Sequence, residues 1–213
     1  MIIAVVGLAR EARIIAGPGI AVSRRGAGLP PLIASGAKGV ISIGIAAALD
    51  PALKLGDIVI GSHVTNGSTF DTHDGWATAL AARLPDRRFG AIAGSDRVVA
   101  TAAEKSLLRI KTAAAAVDME SHIAAKAAAN AKLPFAALRV ISDTAEDSLP
   151  PAAAKAMRSD GSIDMGAVIG SLVMQPNQMP ALIRTAQNAG IAFKALLRCR
   201  SALGPRLAFP DLG

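Results

Sequence analysis

The chain has 213 residues, 52% hydrophobic and 18% charged, which is ample for one buried core and too apolar for a disordered polyelectrolyte. Aromatics are 3%, with no Tyr, so a protein that stacks nucleic-acid bases on aromatic platforms is excluded. A single Cys, Cys199, rules out an internal disulfide and a cysteine metal site, three His leave little for a histidine cluster, and the net charge of +7 favours anionic partners without specifying a fold.

Ile2 to Val6 is a continuous β-branched run ending at Gly7 and reads as a strand buried on both faces. Leu8 to Ala16 reads as a short helix stopped by Gly17-Pro18-Gly19, and Leu32 to Ser35 as a brief helix ended by Gly36. Val40 to Ile43 and Ile58 to Val64 are two further buried strands, the second entered through Gly56-Asp57. Thr65 to Gly75 is polar and reads as a loop, followed by a helix from Trp76 to Leu84 that Pro85 closes. Phe89 to Ala93 is a short strand, Thr101 to Ile110 a helix behind a Thr cap, and Ala113 to Val117 a small-residue strand. Glu120 to Ala131 is a helix, Phe135 to Ile141 a strand, and Ser142 to Asp147 an acidic loop. The remainder is mostly helical, with breaks at Pro176 and Pro180.

Strands alternating with helices predict a layered α/β/α domain around a mixed, largely parallel sheet. No composition break marks a second domain, so residues 1–213 read as one domain with a basic helical segment from about 181. That segment carries Arg184, Lys194, Arg198, Arg200 and Arg206 between apolar residues. It is either a solvated helix face or a contact with an anionic membrane. Met1 to Val6 lacks a basic flank of the kind a leader carries, and the most apolar stretch, Gly39 to Leu49, is short of the ~20 residues a bilayer needs. A cytoplasmic protein is expected, with at most peripheral contact at the inner membrane surface.

Common nucleotide and hydrolase signatures are absent. Gly7, Gly17 and Gly19 do not fall within one strand-to-helix turn, as a dinucleotide fingerprint requires, and neither a G-x-x-x-x-G-K-[ST] loop nor a G-x-S-x-G elbow occurs. Four segments remain. Gly44-Ile45-Ala46-Ala47 follows a buried strand, and its small residues either admit a ligand to the backbone or pack strand on helix. Val117-Asp118-Met119-Glu120 sets carboxylates at a strand end opening a helix, where open α/β sheets bind ligands; Glu120 either faces a site or stabilises the helix N-terminus. Ser142-Asp143 emerges from the last strand, and Asp143 is either a desolvated general acid or a turn cap. Arg10-Glu11-Ala12-Arg13 is either a solvated first turn or charge placed near the reaction.

Taken in order, the Gly7 strand turn, Gly44-Ile45-Ala46-Ala47, Gly56-Asp57-Ile58-Val59, Gly94-Ser95-Asp96, Val117-Asp118-Met119-Glu120 and Ile141-Ser142-Asp143 resemble the purine nucleoside phosphorylase and nucleosidase superfamily over roughly residues 1–175. The opening Met1 to Ala12, with Gly44 to Leu49 and Asp50-Pro51-Ala52-Leu53, looks most like the hopanoid-associated nucleoside phosphorylases.

That resemblance implies cleavage of the bond between a purine and ribose C1′ through an oxocarbenium-like transition state. Asp143, aided by Ser142, protonates the purine at N7; Glu120 binds the ribose hydroxyls; Met119 packs on the sugar and the Val98 backbone meets the base. Gly44, Ile45 and Ala46 line the substrate site. Arg97 stands where relatives often stack a Phe on the base. His73 and Trp76 belong to a region that covers the sugar's 5′ side. Ser42 and Ile45 occupy the phosphate-holding positions without supplying positive charge, so the attacking group is either phosphate held by Arg10 or Arg13, or water activated by Glu11. The implied substrate is an adenine nucleoside with a large 5′ substituent, adenosylhopane, and phosphorolysis is favoured. No metal or organic cofactor is implied, phosphate is a possible cosubstrate, and a homo-oligomer is expected. A methylthioadenosine/adenosylhomocysteine-type nucleosidase and a non-catalytic nucleoside-binding module are the alternatives.

Overall fold

The computed structural model describes residues 1–151, 153 and 176–210. Strand β1 (Ile2–Val6) is buried at every position. Its side chains alternate: Ile2, Ala4 and Val6 enter one core, Ile3 and Val5 the other. β1 runs parallel to β2 (Ile20–Arg24) on one side and to β3 (Gly39–Ala48) on the other. β3 pairs in parallel with β8 (Phe135–Asp143), shifts register between Ala46 and Ala47, and then meets β7 (Ala116–Asp118) antiparallel. β8 pairs with β4 (Ile58–Asn66), β4 with β6 (Arg87–Gly94), and β6 with β7. The mixed sheet therefore closes on itself through β3, β8, β4, β6 and β7. β1 and β2 extend from it at β3, and β5 (Ser68–Asp71) extends from β4.

Six α-helices are described. Ile15 of α1 (Ala9–Ile15), Trp76 and Leu80 of α3 (Asp74–Arg83), and Phe193 and Leu196 of α6 (Met179–Leu203) cover one face of the sheet. Leu29 of α2 (Leu29–Ala34) and Ala124 and Ala128 of α5 (Ser121–Asn130) cover the other. α4 (Ala102–Thr112) follows β6 and opens on the Thr101 cap, where the Thr101 hydroxyl accepts from Glu104 N and Glu104 reaches back to Thr101 N. The layered, largely parallel α/β arrangement expected from the sequence is present.

Several boundaries differ from the sequence reading. β2 was not anticipated: Ile20 to Arg24 has few strongly apolar positions and is held by pairing to β1. The expected loop from Thr65 to Gly75 contains a hairpin, with Gly67 at φ 70° between β4 and β5. Pro180 does not break a helix; it occupies the first turn of α6, where a missing N–H costs nothing. Of the basic residues after 181, Arg184, Lys194 and Arg198 are exposed, while Arg200 turns inward to the carbonyls of Ile15 and Gly204. Among the described residues no helix is long and apolar enough to cross a membrane.

Candidate active site

The carboxyl ends of β1, β3, β6, β7 and β8 open into a cavity of about 670 Å³, the place where parallel sheets bind ligands. Its floor comes from these strand ends and their turns, and α6 forms one wall.

Asp143 is the last residue of β8 and lines this cavity. Ser142 Oγ lies 2.9 Å from Asp143 Oδ1 and 3.2 Å from Ala46 O. On the other side, Lys105 Nζ donates to Asp143 Oδ2 at 2.5 Å, to Thr144 O at 2.7 Å and to Asp147 O at 2.9 Å. Three acceptors around one nitrogen match the three donors of an ammonium. Asp143 is thus a buried carboxyl group with Ser142 at one oxygen and the Lys105 ammonium at the other.

Glu120 caps α5 and faces the turn after β1, so closely that a side chain at Gly7 would meet its carboxylate. Arg25, in a left-handed backbone conformation just after β2, places Nη1 3.3 Å from Glu120 Oε1. The Glu120 carboxyl is pushed up to about 7, mainly by burial and then by the neighbouring Asp118 carboxylate; Arg139 opposes this, Glu11 adds to it, and Arg25 opposes it more weakly. Met119 and Val98 also line the cavity.

Glu11 lies in the cavity floor. Its Oε2 accepts from Gly7 N at 2.7 Å and Leu8 N at 2.6 Å, and its Oε1 from Ile45 N at 2.7 Å. Burial raises its pKa, against the opposing effect of Arg139 and of these backbone N–H groups. Arg139 is fully buried on β8 and joins this layer together: it bonds to Ser42, Ser121 and Asp118. Its Nε and Nη1 have no hydrogen-bond partner among the described residues.

The structure brings Asp143, Ser142, Glu120, Met119, Val98, Ile45, Ala46, Glu11 and Arg10 to one cavity. It does not bring Arg13, which is exposed on α1 and lies outside the lining. Gly44 lies one layer down, where a side chain would collide with Glu11 and Arg139, so its part is to let those two groups through. Ser42 is buried beneath Arg139 and does not reach the cavity. Trp76 and His73 are also elsewhere: Trp76 is in the core, donating from Nε1 to Leu207 O at 2.9 Å, and His73 caps α3. Neither covers this cavity. Arg97 does line it, with its guanidinium held 2.6 Å from Glu104.

Four lining or supporting residues carried no sequence assignment. Lys105 and Arg25 lie in segments without a motif. Arg139 stands in the Arg139-Val140-Ile141-Ser142-Asp143 run, where a cation inside an apolar strand was the available signal. Phe193 of α6 puts an aromatic ring on the cavity lining, with the Arg10 guanidinium 4.5 Å from its centroid.

The family model of the phosphorylase superfamily matches residues 14–173. The chain belongs to the phosphorylase superfamily. Solved structures similar to this superfamily member include a Helicobacter pylori 5′-methylthioadenosine/S-adenosylhomocysteine nucleosidase (TM-score 0.61, 19% identity, 82% of this chain and 97% of that one). A Helicobacter pylori futalosine hydrolase is similar too (TM-score 0.61, 17% identity, 91% and 95%). So is a Colwellia psychrerythraea 5′-methylthioadenosine/S-adenosylhomocysteine nucleosidase in complex with adenine (TM-score 0.62, 19% identity, 92% and 96%). At these identities the likeness is one of fold. No curated protein sequence matches this superfamily member.

Proposed function

We propose that this protein cleaves the N-glycosidic bond of an adenine nucleoside bearing a large apolar 5′ substituent, releasing adenine, with inorganic phosphate as the attacking group. The observation that carries the reading is the pairing, in one cavity, of Asp143 clamped by Lys105 and Ser142 with the buried carboxyl of Glu120 held beside Arg25. As C1′–N9 breaks, its electron pair passes to the purine, Asp143, protonated in the bound complex, gives its proton to N7, and a phosphate oxygen bonds to C1′ to leave the sugar 1-phosphate; such general acid assistance contributes ~10²–10⁴-fold. The Glu120 carboxylate accepts hydrogen bonds from the ribose hydroxyls and faces the positive charge that develops on the sugar. Met119 packs on the ribose, and the Val98 backbone meets the base edge. No metal or organic cofactor enters this scheme.

Phosphate is favoured over water because Glu11 has both carboxylate oxygens engaged by backbone N–H groups, which makes it a buttress, while Arg10 and Arg25 offer cations at the cavity. The large 5′ substituent is supported by the wall of Leu149, Met179, Leu182, Ile183, Ala186 and Phe193, which is far more apolar than a small polar group needs. Adenosylhopane, the substrate implied by the sequence resemblance, has the required chemistry. The reading includes a cytoplasmic homo-oligomer whose exposed Arg184, Lys194 and Arg198 touch an anionic membrane surface. Liposome co-sedimentation that is absent at both low and high salt removes that contact.

Hydrolysis is the second reading. It is favoured by the raised pKa of Glu11 beside the cavity, and the similar solved structures named above are two nucleosidases and a hydrolase. Adenine release from 5′-methylthioadenosine and longer 5′-alkyl analogues, with and without phosphate, decides between them. Release only with phosphate is the expected result, and release regardless of phosphate establishes the hydrolase. No release from any nucleoside, adenosylhopane included, leaves a binding module. Asp143→Asn lowers release by ~10²–10⁴-fold in a protein that still folds; near-normal turnover overturns the assignment.

A further inference from the structure

α4 buries an unexpected residue. Leu107 and Ile110 are 67% and 80% exposed, while Lys105 is fully buried and is the helix's one buried side chain. An ammonium removed from water needs close partners to offset its desolvation. Lys105 finds all of them in the segment that begins at the leaving-group carboxylate: Asp143 Oδ2, Thr144 O and Asp147 O. The same segment is buttoned to the start of α4 by Ala102 N donating to Ser148 Oγ at 3.1 Å and Leu149 N donating to Ala100 O at 2.8 Å. With Ser142 at Oδ1, both oxygens of Asp143 are fixed and the plane of the carboxyl group is set.

We propose that Lys105 is the positioning residue of the leaving-group acid, acting on the reaction only through Asp143. The inference rests on the role given to Asp143 in the proposed function. In the bond-breaking step C1′–N9 opens, the electron pair enters the purine, the proton that Asp143 carries in the bound complex moves to N7, a phosphate oxygen bonds to C1′, and Asp143 is left as a carboxylate. The ammonium of Lys105 stands where that negative charge appears, so it stabilises the transition state more than the bound substrate. It also holds the residue 144–149 segment, three of whose members, Asp147, Ser148 and Leu149, line the cavity.

The test is a double-mutant cycle of Lys105→Met and Asp143→Asn, read as adenine release from 5′-methylthioadenosine in phosphate buffer at saturating and limiting nucleoside. Lys105→Met alone is expected to lower kcat ~10–100-fold with KM changed by less than about threefold. Lys105→Arg, which keeps the charge, recovers part of that loss. In the Asp143→Asn background, Lys105→Met changes the residual rate by less than about twofold, because there is no carboxylate left to act through. The double variant leaves neither a buried carboxyl nor a buried ammonium without its partner and keeps the comparison available if Lys105→Met alone does not fold. Lys111→Met, on the exposed side of the same helix, leaves turnover unchanged. Equal losses from Lys105→Met in both backgrounds, a loss confined to KM, or an unchanged kcat each overturn the inference while the functional reading stands. A wild-type protein that releases no adenine overturns both.

Discussion

The carboxylate of Glu11 occupies the space in which residue 44 would carry a side chain. A Cβ at Gly44 would collide with Glu11 Oε1 and lie 2.8 Å from Arg139 Nη1. Neither neighbour is free to move away, since Glu11 is held by three backbone N–H groups and Arg139 by Ser42, Ser121 and Asp118. Gly44→Ala therefore destabilises the protein by ~1–3 kcal/mol, the ordinary cost of overpacking. Ile45, whose N–H is bound to Glu11, shifts with it and loosens the cavity floor. Urea unfolding followed by the emission of Trp76, the sole and fully buried tryptophan, measures the change. An unaltered midpoint refutes the steric argument.

Glu120 makes stability and activity respond to pH in opposite directions. Its pKa is pushed from the ordinary 4.5 to about 7 in the folded protein. Between those values the native state binds more protons at this residue than the unfolded chain does, so unfolding free energy falls as pH rises through the window. The full span is worth ~3 kcal/mol. Glu120→Gln removes this contribution: relative to wild type it gains stability between pH 5 and pH 8. In the proposed reaction Glu120 holds the ribose hydroxyls in its ionised form, so kcat/KM of the wild type is expected to rise toward pH 7 and above, and Glu120→Gln to lose that rise along with most of its activity. Denaturation at pH 5 and pH 8, paired with a pH–rate profile, tests both halves. A variant whose stability tracks wild type at both pH values contradicts the buried-carboxylate account.

Much of this site was legible because strand ends concentrate function. Glu120 and Asp143 follow apolar runs at β7 and β8, and the position at a sheet's carboxyl edge is itself the signal. Supporting charges were illegible for a physical reason. Lys105 sits in an 11-residue helix whose Leu107 and Ile110 imply the opposite buried face, and only the carboxylate and two carbonyls brought from residues 143–147 make its burial favourable. Arg25 likewise acquires meaning only when β2 pairs with β1 and its turn meets Glu120. The family resemblance put Trp76 in a region that covers the sugar's 5′ side, but its Nε1 bond to Leu207 O and its edge-on contact with Phe209 place it in the core. Gly44 was read as a residue that admits a ligand or packs strand on helix; the groups that approach it are Glu11 and Arg139, and it does not line the cavity.

The apolar wall on α6 predicts which substituents the cavity accepts. Ile183 is 51% exposed at the cavity lining, near Leu182 and one turn from Met179, so it contacts a bound group without anchoring the core. Each methylene that a 5′-alkyl chain buries against this wall is worth ~0.8 kcal/mol, or about fourfold in affinity. Wild-type KM should therefore fall stepwise across methyl-, butyl- and octylthioadenosine. Ile183→Glu places a carboxylate beside that chain, where desolvating it opposes binding. The octyl compound then loses its advantage, while methylthioadenosine, which does not reach the wall, keeps its KM within about twofold and its kcat unchanged. Because the substitution lies on a solvent-accessible helix face, the unfolding midpoint should hold, separating a specificity effect from a folding defect. A KM series that is flat with chain length in the wild type, or an Ile183→Glu variant that weakens all three substrates equally, shows that the 5′ substituent does not lie along α6.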